Sequence, residues 1–181
     1  GSPDHWHVPM TIDSVRAGKD VYVEKPLTHD AAEETAVIEA VAQSDRVVQV
    51  GMQQRSMPQL QKAREIFQSG RLGDVHKVHL TWNRNSGARM QRRSYGVESQ
   101  QVDWQAFLGS APQQPYDEYV YRNWRWFWDF GGGILTDLMV HFIDVVHWFF
   151  ESDEPVAAAA MGHNYSTESL WQTPDTVHCL L

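Results

Sequence analysis

The sequence predicts an α/β protein in two parts: a helix–strand alternation over residues 1–73, then a differently built part over residues 74–181. Three observations carry that reading. In the first part, runs with helical spacing alternate with short β-branched runs, the pattern of a parallel sheet with helices on its faces. After Gly73 the rhythm changes to a partly alternating run, a long polar segment and an aromatic block. A glycine triplet, Gly131–Gly133, then opens a long apolar helix that carries Asp137, His141, Asp144 and His147.

Each element has a local reason. Residues 7–17 suit a helix stopped by Gly18, with Ser2 expected as N-cap and Pro3 at the first helical position. "DVYVE" (Asp20–Glu24) is a β-branched and aromatic strand, and "RVVQVG" (Arg46–Gly51) is a second. His29–Ser44 between them is an amphipathic helix, and Pro58–Gly70 is another, with proline at its start and glycine past its end. Val75, Val78, Leu80 and Trp82 predict a strand over Asp74–Asn83. The glycine triplet leads to a helix ending near Phe150, and strand-like tracts lie near Pro155–Tyr165 and Thr176–Leu181.

Composition narrows the function. With 42% hydrophobic and 21% charged residues the 181-residue chain reads as globular, large enough for one sizeable core or parts of two domains. A net charge of −8 and a pI near 5.5 argue against nucleic acid or an anionic membrane as partner. The longest apolar runs fall short of the roughly 18 residues of a membrane span. Cys179 is the only cysteine, which excludes an internal disulfide and a thiolate metal cage. Without a signal peptide, the expected compartment is the cytoplasm. Eight tryptophans are many for this length, and indole rings serve either as core aromatics or as flat platforms for sugars.

Two constellations suggest chemistry. Positions i, i+4 and i+7 of a helix share a face, so Asp137, His141 and Asp144 form one polar stripe on the apolar helix. An aspartate one turn before a histidine can orient the imidazole and raise its basicity, which suits a general base. A buried pair satisfying only its own hydrogen bonds is the alternative. A metal site is not expected, because no third ligand is specified. Lys25 is the second constellation. It follows a strand and precedes Pro26, which puts it at the carboxyl end of a parallel strand, where open α/β sheets bind ligands. The H-x-H pair His5 and His7 would point apart in a helix, which weakens a metal reading there.

Four segments in order, "SPDHWH", "VYVEKPLT", "VGMQQR" and "GGGILTDLMVHFID", resemble the Gfo/Idh/MocA family of NAD(P)-dependent sugar and polyol oxidoreductases. The resemblance covers nearly the whole chain. It implies the C-terminal part of a Rossmann-type parallel sheet, followed by part of an α+β substrate domain with a largely antiparallel sheet. It implies Lys25, Asp137 and His141 as catalytic residues. Pro3, Asp4, His7, Glu24, Pro26 and Gln53 would then lie at NAD or NADP, and Arg55 near cofactor and substrate. Trp124, Trp126 and Trp128 would wall a sugar or polyol, and Arg84, Arg89, Arg92 and Arg93 read as a solvated loop face. Position 2 is Ser where the family has Thr. The family's G-x-G-x-x-G fingerprint is absent, so the chain reads as an internal piece of a longer enzyme. A homo-oligomer through the substrate-domain sheet is the implied assembly. Two other readings stay open: a glycosidase working by transient oxidation and elimination with retained NAD, and a non-enzymatic sugar or cofactor sensor.

Overall fold

The computed structural model describes residues 1–83, 91–152, 154–167 and 170–181. The first part alternates as expected. A 3-10 turn (Asp4–Trp6) leads into α1 (His7–Arg16), β1 (Val21–Glu24), α2 (Glu33–Ala42), β2 (Val48–Gly51), a second 3-10 turn (Gln53–Ser56) and α3 (Pro58–Gln68). The two strands pair in parallel, Val21 opposite Val48 and Glu24 opposite Gly51. Parallel neighbours need a crossover, and α2 supplies it. α1 packs on β1 and on α2. The buried residues of this half are chiefly Val8, Val15, Val23 and Val37 with Thr11.

Two local details differ from expectation. Ser2 makes no cap bond; Pro3 takes the N-cap position of the Asp4–Trp6 turn, and the Ser2 hydroxyl instead donates to the Pro3 carbonyl at 3.3 Å. α2 begins four residues later than its amphipathic pattern. The Glu33 carboxylate accepts from His29 N at 2.8 Å and Asp30 N at 3.3 Å, and Asp30 accepts from Ala32 N at 2.8 Å. These side chains satisfy the amides locally, so the segment turns before it coils.

The second part holds α4 (Trp104–Leu108), capped by Asp103, and α5 (Glu118–Arg122), capped by Asp117. A π turn (Leu135–Met139) runs into α6 (Val140–Phe150), and β3 (Ala159–His163) pairs antiparallel with β4 (Thr176–Leu180). The strand predicted over Asp74–Asn83 does not form. Its apolar residues are covered only in part: Val75, Leu80 and Trp82 are half-buried, with Trp82 5.0 Å from Phe142, ring to ring, while Val78 is exposed. A strand needs a neighbour for its backbone hydrogen bonds, and no described strand pairs with this segment.

The core here is aromatic. Leu108, Val120 and Phe130 pack with Trp104, Phe107, Trp124 and Phe127. Tyr119, Trp126 and Trp171 form a second cluster, in which the two indoles stack at 4.1 Å and 9°. The glycine triplet fits against this core only because it has no side chains. A Cβ on Gly132 would meet Thr136 Oγ1 at 2.6 Å, and one on Gly133, at φ +72°, would meet Thr173 Oγ1 at 2.7 Å.

Gly133→Ala is therefore expected to lower stability by about 1–3 kcal/mol, from its left-handed backbone and the Thr173 contact together. A urea midpoint that does not move would show that Thr173 yields to the methyl group.

Candidate active site

β1 and β2 end side by side, so the residues that follow them emerge at one edge of the sheet. Glu24 lies opposite Gly51. A Cβ on Gly51 would sit 2.9 Å from Tyr22 Oη and 3.2 Å from Glu24 Oε2, so glycine permits this approach. Lys25 and Pro26, joined by a cis peptide, come next. The Pro26 carbonyl faces His7 Nδ1 at 2.6 Å, and His7 Nε2 faces the Ser2 carbonyl at 3.1 Å. One buried imidazole thus ties the first loop to the segment after Lys25, with the tautomer deciding which nitrogen donates. His5 does not join it. His5 Nε2 and Trp6 Nε1 both face the Phe107 carbonyl at 3.0 Å, and burial holds the His5 imidazole below its ordinary value. Among the described residues no group of three or more His, Cys, Asp or Glu is arranged to hold a metal ion.

Lys25 reaches across to the π turn. Its Nζ donates to the Asp137 carbonyl and, at 3.1 Å, to Asp137 Oδ1. The two residues stand 112 positions apart in sequence, and their side chains are 12% and 13% exposed. Arg125 Nε donates to the same Oδ1 at 2.9 Å. π turns recur at functional sites because they carry side chains and carbonyls out of the α register. His141, one turn further on, is 7% exposed, and its Nδ1 has no hydrogen-bond partner.

The expected Asp137–His141 relationship needs correction. The Asp137 carboxylate bonds two cations, which bind it more strongly than a neutral imidazole can. It acts on His141 only through space. The imidazole is held below its ordinary value, first by burial and then by the Lys25 charge; Asp137, Glu24 and Asp144 pull the other way without reversing this. His141 is thus neutral near pH 7, the form that accepts a proton.

The other expected residues divide. Pro3, Asp4 and His7 lie on the loop that His7 ties to Pro26, while Glu24 and Gln53 are exposed at the sheet edge. Arg55 is engaged by α6: its Nε lies 2.9 Å from Asp144 Oδ2 and its Nη2 2.6 Å from Oδ1. Asp144 therefore leaves the polar stripe to anchor the 3-10 turn after β2. Trp126 is a core residue at 2% exposure, and its ring face is taken by Trp171, so it offers no flat platform on which a sugar could stack. Trp124 is half-buried with the Arg125 guanidinium 4.2 Å above its ring. Trp128 is the exposed indole of the three. Arg84 and Arg89 lie outside the described residues. Arg125 was legible only as part of the aromatic block; nothing local marks it as a partner of Asp137.

Glu24 and Gln53 leave polar side chains open where the two parallel strands end, the edge at which such sheets take their ligands. A dinucleotide bound there needs, for its pyrophosphate, a glycine-rich cradle open to solvent. Gly131–Gly133 is not one, because the space beside each is filled by Arg125, Thr136 or Thr173.

Asp4 was expected from its motif, but its titration was not. Burial pushes its carboxyl from 3.8 up to about 7; Lys25 and Arg125 lower it and Asp137 raises it. Between those values the unfolded chain releases the proton and the folded chain keeps it, so this group favours unfolding increasingly as pH rises from about 4 to about 7. Asp4→Asn should remove that burden. Relative to the unaltered chain, the variant should match it below pH ~4 and exceed it by on the order of 3 kcal/mol above pH ~7. Chemical denaturation across that range checks it; parallel pH curves would return Asp4 to an ordinary carboxylate.

Comparison with known proteins gives the family and the fold. Residues 1–52 match the family described as "Oxidoreductase family, NAD-binding Rossmann fold", and residues 60–181 match "GFO/IDH/MocA C-terminal domain". The putative oxidoreductase YteT of Bacillus subtilis is 25% identical over 169 residues, which is 93% of this chain and 33% of YteT. Inositol 2-dehydrogenase of Rhizobium meliloti is 24% identical over 159 residues, 88% of this chain and 37% of that enzyme. The chain thus spans about a third of the length of these curated relatives. The WlbA dehydrogenase of Bordetella pertussis, solved with NADH and UDP-GlcNAcA, superposes with a TM-score of 0.68 at 19% identity, over 99% of this chain and 46% of that one. At that identity the likeness speaks for the fold. Through its two matched segments, this chain belongs to the GFO/IDH/MocA oxidoreductase family.

Proposed function

We propose that this chain carries the reaction centre of an enzyme that oxidises a secondary alcohol of a sugar or polyol with NAD or NADP. The observation that carries the reading is one cluster: Lys25 paired with Asp137 at 3.1 Å, beside a buried, neutral His141. The relatives support the class, since several are inositol 2-dehydrogenases. The division at residue 73, and assembly of copies through the exposed β3–β4 sheet, belong to the same proposal.

In this reading His141 takes the hydroxyl proton. Lys25 donates a hydrogen bond to the same oxygen and stabilises the negative charge that develops there. Asp137, itself bonded by Arg125, holds the Lys25 ammonium in place. The nicotinamide, when bound, supplies the hydride acceptor. Glu24, Pro26 and Gln53 would hold its ring at the strand ends, with the Pro3–His7 loop beside them.

The test is NADH formation over a panel of polyols and aldoses. Lys25→Ala should cut turnover about 10²-fold or more while leaving cofactor binding measurable. Near-normal turnover with weakened cofactor affinity would move Lys25 from the reacting oxygen to the dinucleotide. Release of phenol from an aryl glycoside without net NADH would replace the reaction itself with elimination.

The His141 titration gives a second, sign-specific check. Lys25 lowers its pKa and Asp137 raises it. Followed by NMR, the imidazole should titrate higher in Lys25→Ala and lower in Asp137→Asn. As a base His141 must be neutral, so the acidic limb of the Asp137→Asn rate profile should also move to lower pH. Shifts of the same sign in both variants would reject the through-space arrangement.

A further inference from the structure

A cavity of about 200 Å³ is walled by Arg93, Tyr95, Arg122, Asn123, Arg125 and Trp126, with none of Lys25, Asp137 and His141 in its lining. Three of its six walls are arginines, in a chain of net charge −8. The arrangement of their charges is unusual. Arg93 and Arg122 lie over the same ring, Tyr95, at 5.0 and 5.7 Å from its centre. Two guanidinium groups at one ring repel each other, and since both are exposed, water screens that repulsion only in part. Among the described residues no carboxylate pairs with either.

The carboxylates nearest in sequence are committed elsewhere. Asp117 caps α5, accepting from Tyr119 N at 2.8 Å, and pairs with Arg92. Glu118 accepts from Tyr95 N and Val97 N, each at 2.7 Å. Asp137 is held by Lys25 and Arg125. The frame around the two arginines is rigid, since buried Asn123 donates to the Tyr95 hydroxyl and to the Tyr119 carbonyl, both at 2.9 Å.

We propose that the Arg93–Arg122–Arg125 cavity binds the anionic group, a carboxylate or a phosphate, of the sugar substrate. The proposal rests on the sugar-oxidising reading above and narrows its substrate class. Guanidinium forks match both anions in two-point geometry. Arg125 joins the cavity to the reaction centre: it lines the one and bonds Asp137 in the other. A substrate held there by its anion would present a carbon of the same molecule near Lys25. The anion would also offset the repulsion between the two arginines over Tyr95.

The test needs neither cofactor nor turnover. Trp126 lines the cavity and Trp124 lies under Arg125, so tryptophan fluorescence reports occupancy. The chain is titrated with glucose, glucuronate, glucose 6-phosphate and inorganic phosphate. At least one sugar anion should bind tenfold or more tighter than glucose, with an affinity that falls as salt rises. Whichever anion gains more identifies the group as carboxylate or phosphate. Arg122→Gln and Arg93→Gln should each weaken that anion about tenfold and leave glucose unchanged, with melting temperatures within the spread of the unaltered chain. Arg122→Lys keeps the charge without the fork and should recover only part of the loss. No preference for either anion overturns the proposal, and so does an anion affinity that survives in the folded Arg93→Gln/Arg122→Gln double variant. Hydride transfer is assayed separately. Its absence with the anion preference intact would reject the reaction and keep the site; hydride transfer without the preference would do the reverse.

Discussion

The arrangement of the site depends on the ion pair between Lys25 and Asp137. It is the direct bond between the carboxyl edge of the parallel sheet and the π turn that precedes α6. Both side chains are largely out of water. Removing one partner of such a pair strands a charge, at a typical cost of about 3–5 kcal/mol. The second cation on Asp137, Arg125, makes that cost asymmetric: without Lys25 the carboxylate keeps a partner, whereas without Asp137 two cations face each other. The same pair sets the state of His141, because Lys25 is the largest charge acting on it after burial.

Around this pair the structure keeps its polar groups in register by close packing. The glycine triplet lets the chain pass against Thr136, Thr173 and the backbone of Arg125. Nearby in sequence, the indoles of Trp126 and Trp171 stack at 4.1 Å in the aromatic core. Asp175 closes the loop before β4 by accepting from Tyr165 N, Ser166 N and Thr167 N at 3.1, 2.7 and 3.0 Å, and these bonds help hold its carboxyl below the usual carboxylate range. Rigid neighbours are what keep a lysine and a carboxylate from distant segments within bonding distance.

A second set of contacts joins the two parts along α6. Arg55 binds Asp144 through both of its carboxylate oxygens. Arg64 donates to the Trp148 carbonyl at 3.0 Å, pairs with Glu151 at 2.6 Å and lies 5.1 Å over the Trp148 ring. Phe67 packs on Phe150 at 4.9 Å. Several of these charges are exposed and screened, so each contributes little alone. Their combined effect is positional: α6, with His141 on it, is tied to the turn that follows β2.

Much of this was written locally. The alternation of periods in residues 1–73 specified helices and parallel strands, because each period can bury only one kind of face. The Glu-Lys-Pro segment put Lys25 at a strand end, and the glycine triplet marked the start of the helix that carries Asp137 and His141. The strand over Asp74–Asn83 was misread because alternation suits a residue to a sheet face without supplying the neighbouring strand. That the Trp126 ring stacks on Trp171 rather than standing open was not legible, because an indole in a core and an indole in a binding wall look the same in sequence. What tertiary structure alone decided was pairing. Charge complementarity at 112 positions' separation leaves no local trace, so the partners of Asp137 were open until the fold brought Lys25 and Arg125 to it. The raised pKa of Asp4 and the lowered one of His141 are of the same kind, since desolvation depends on what covers a group, and the covering residues come from every part of the chain.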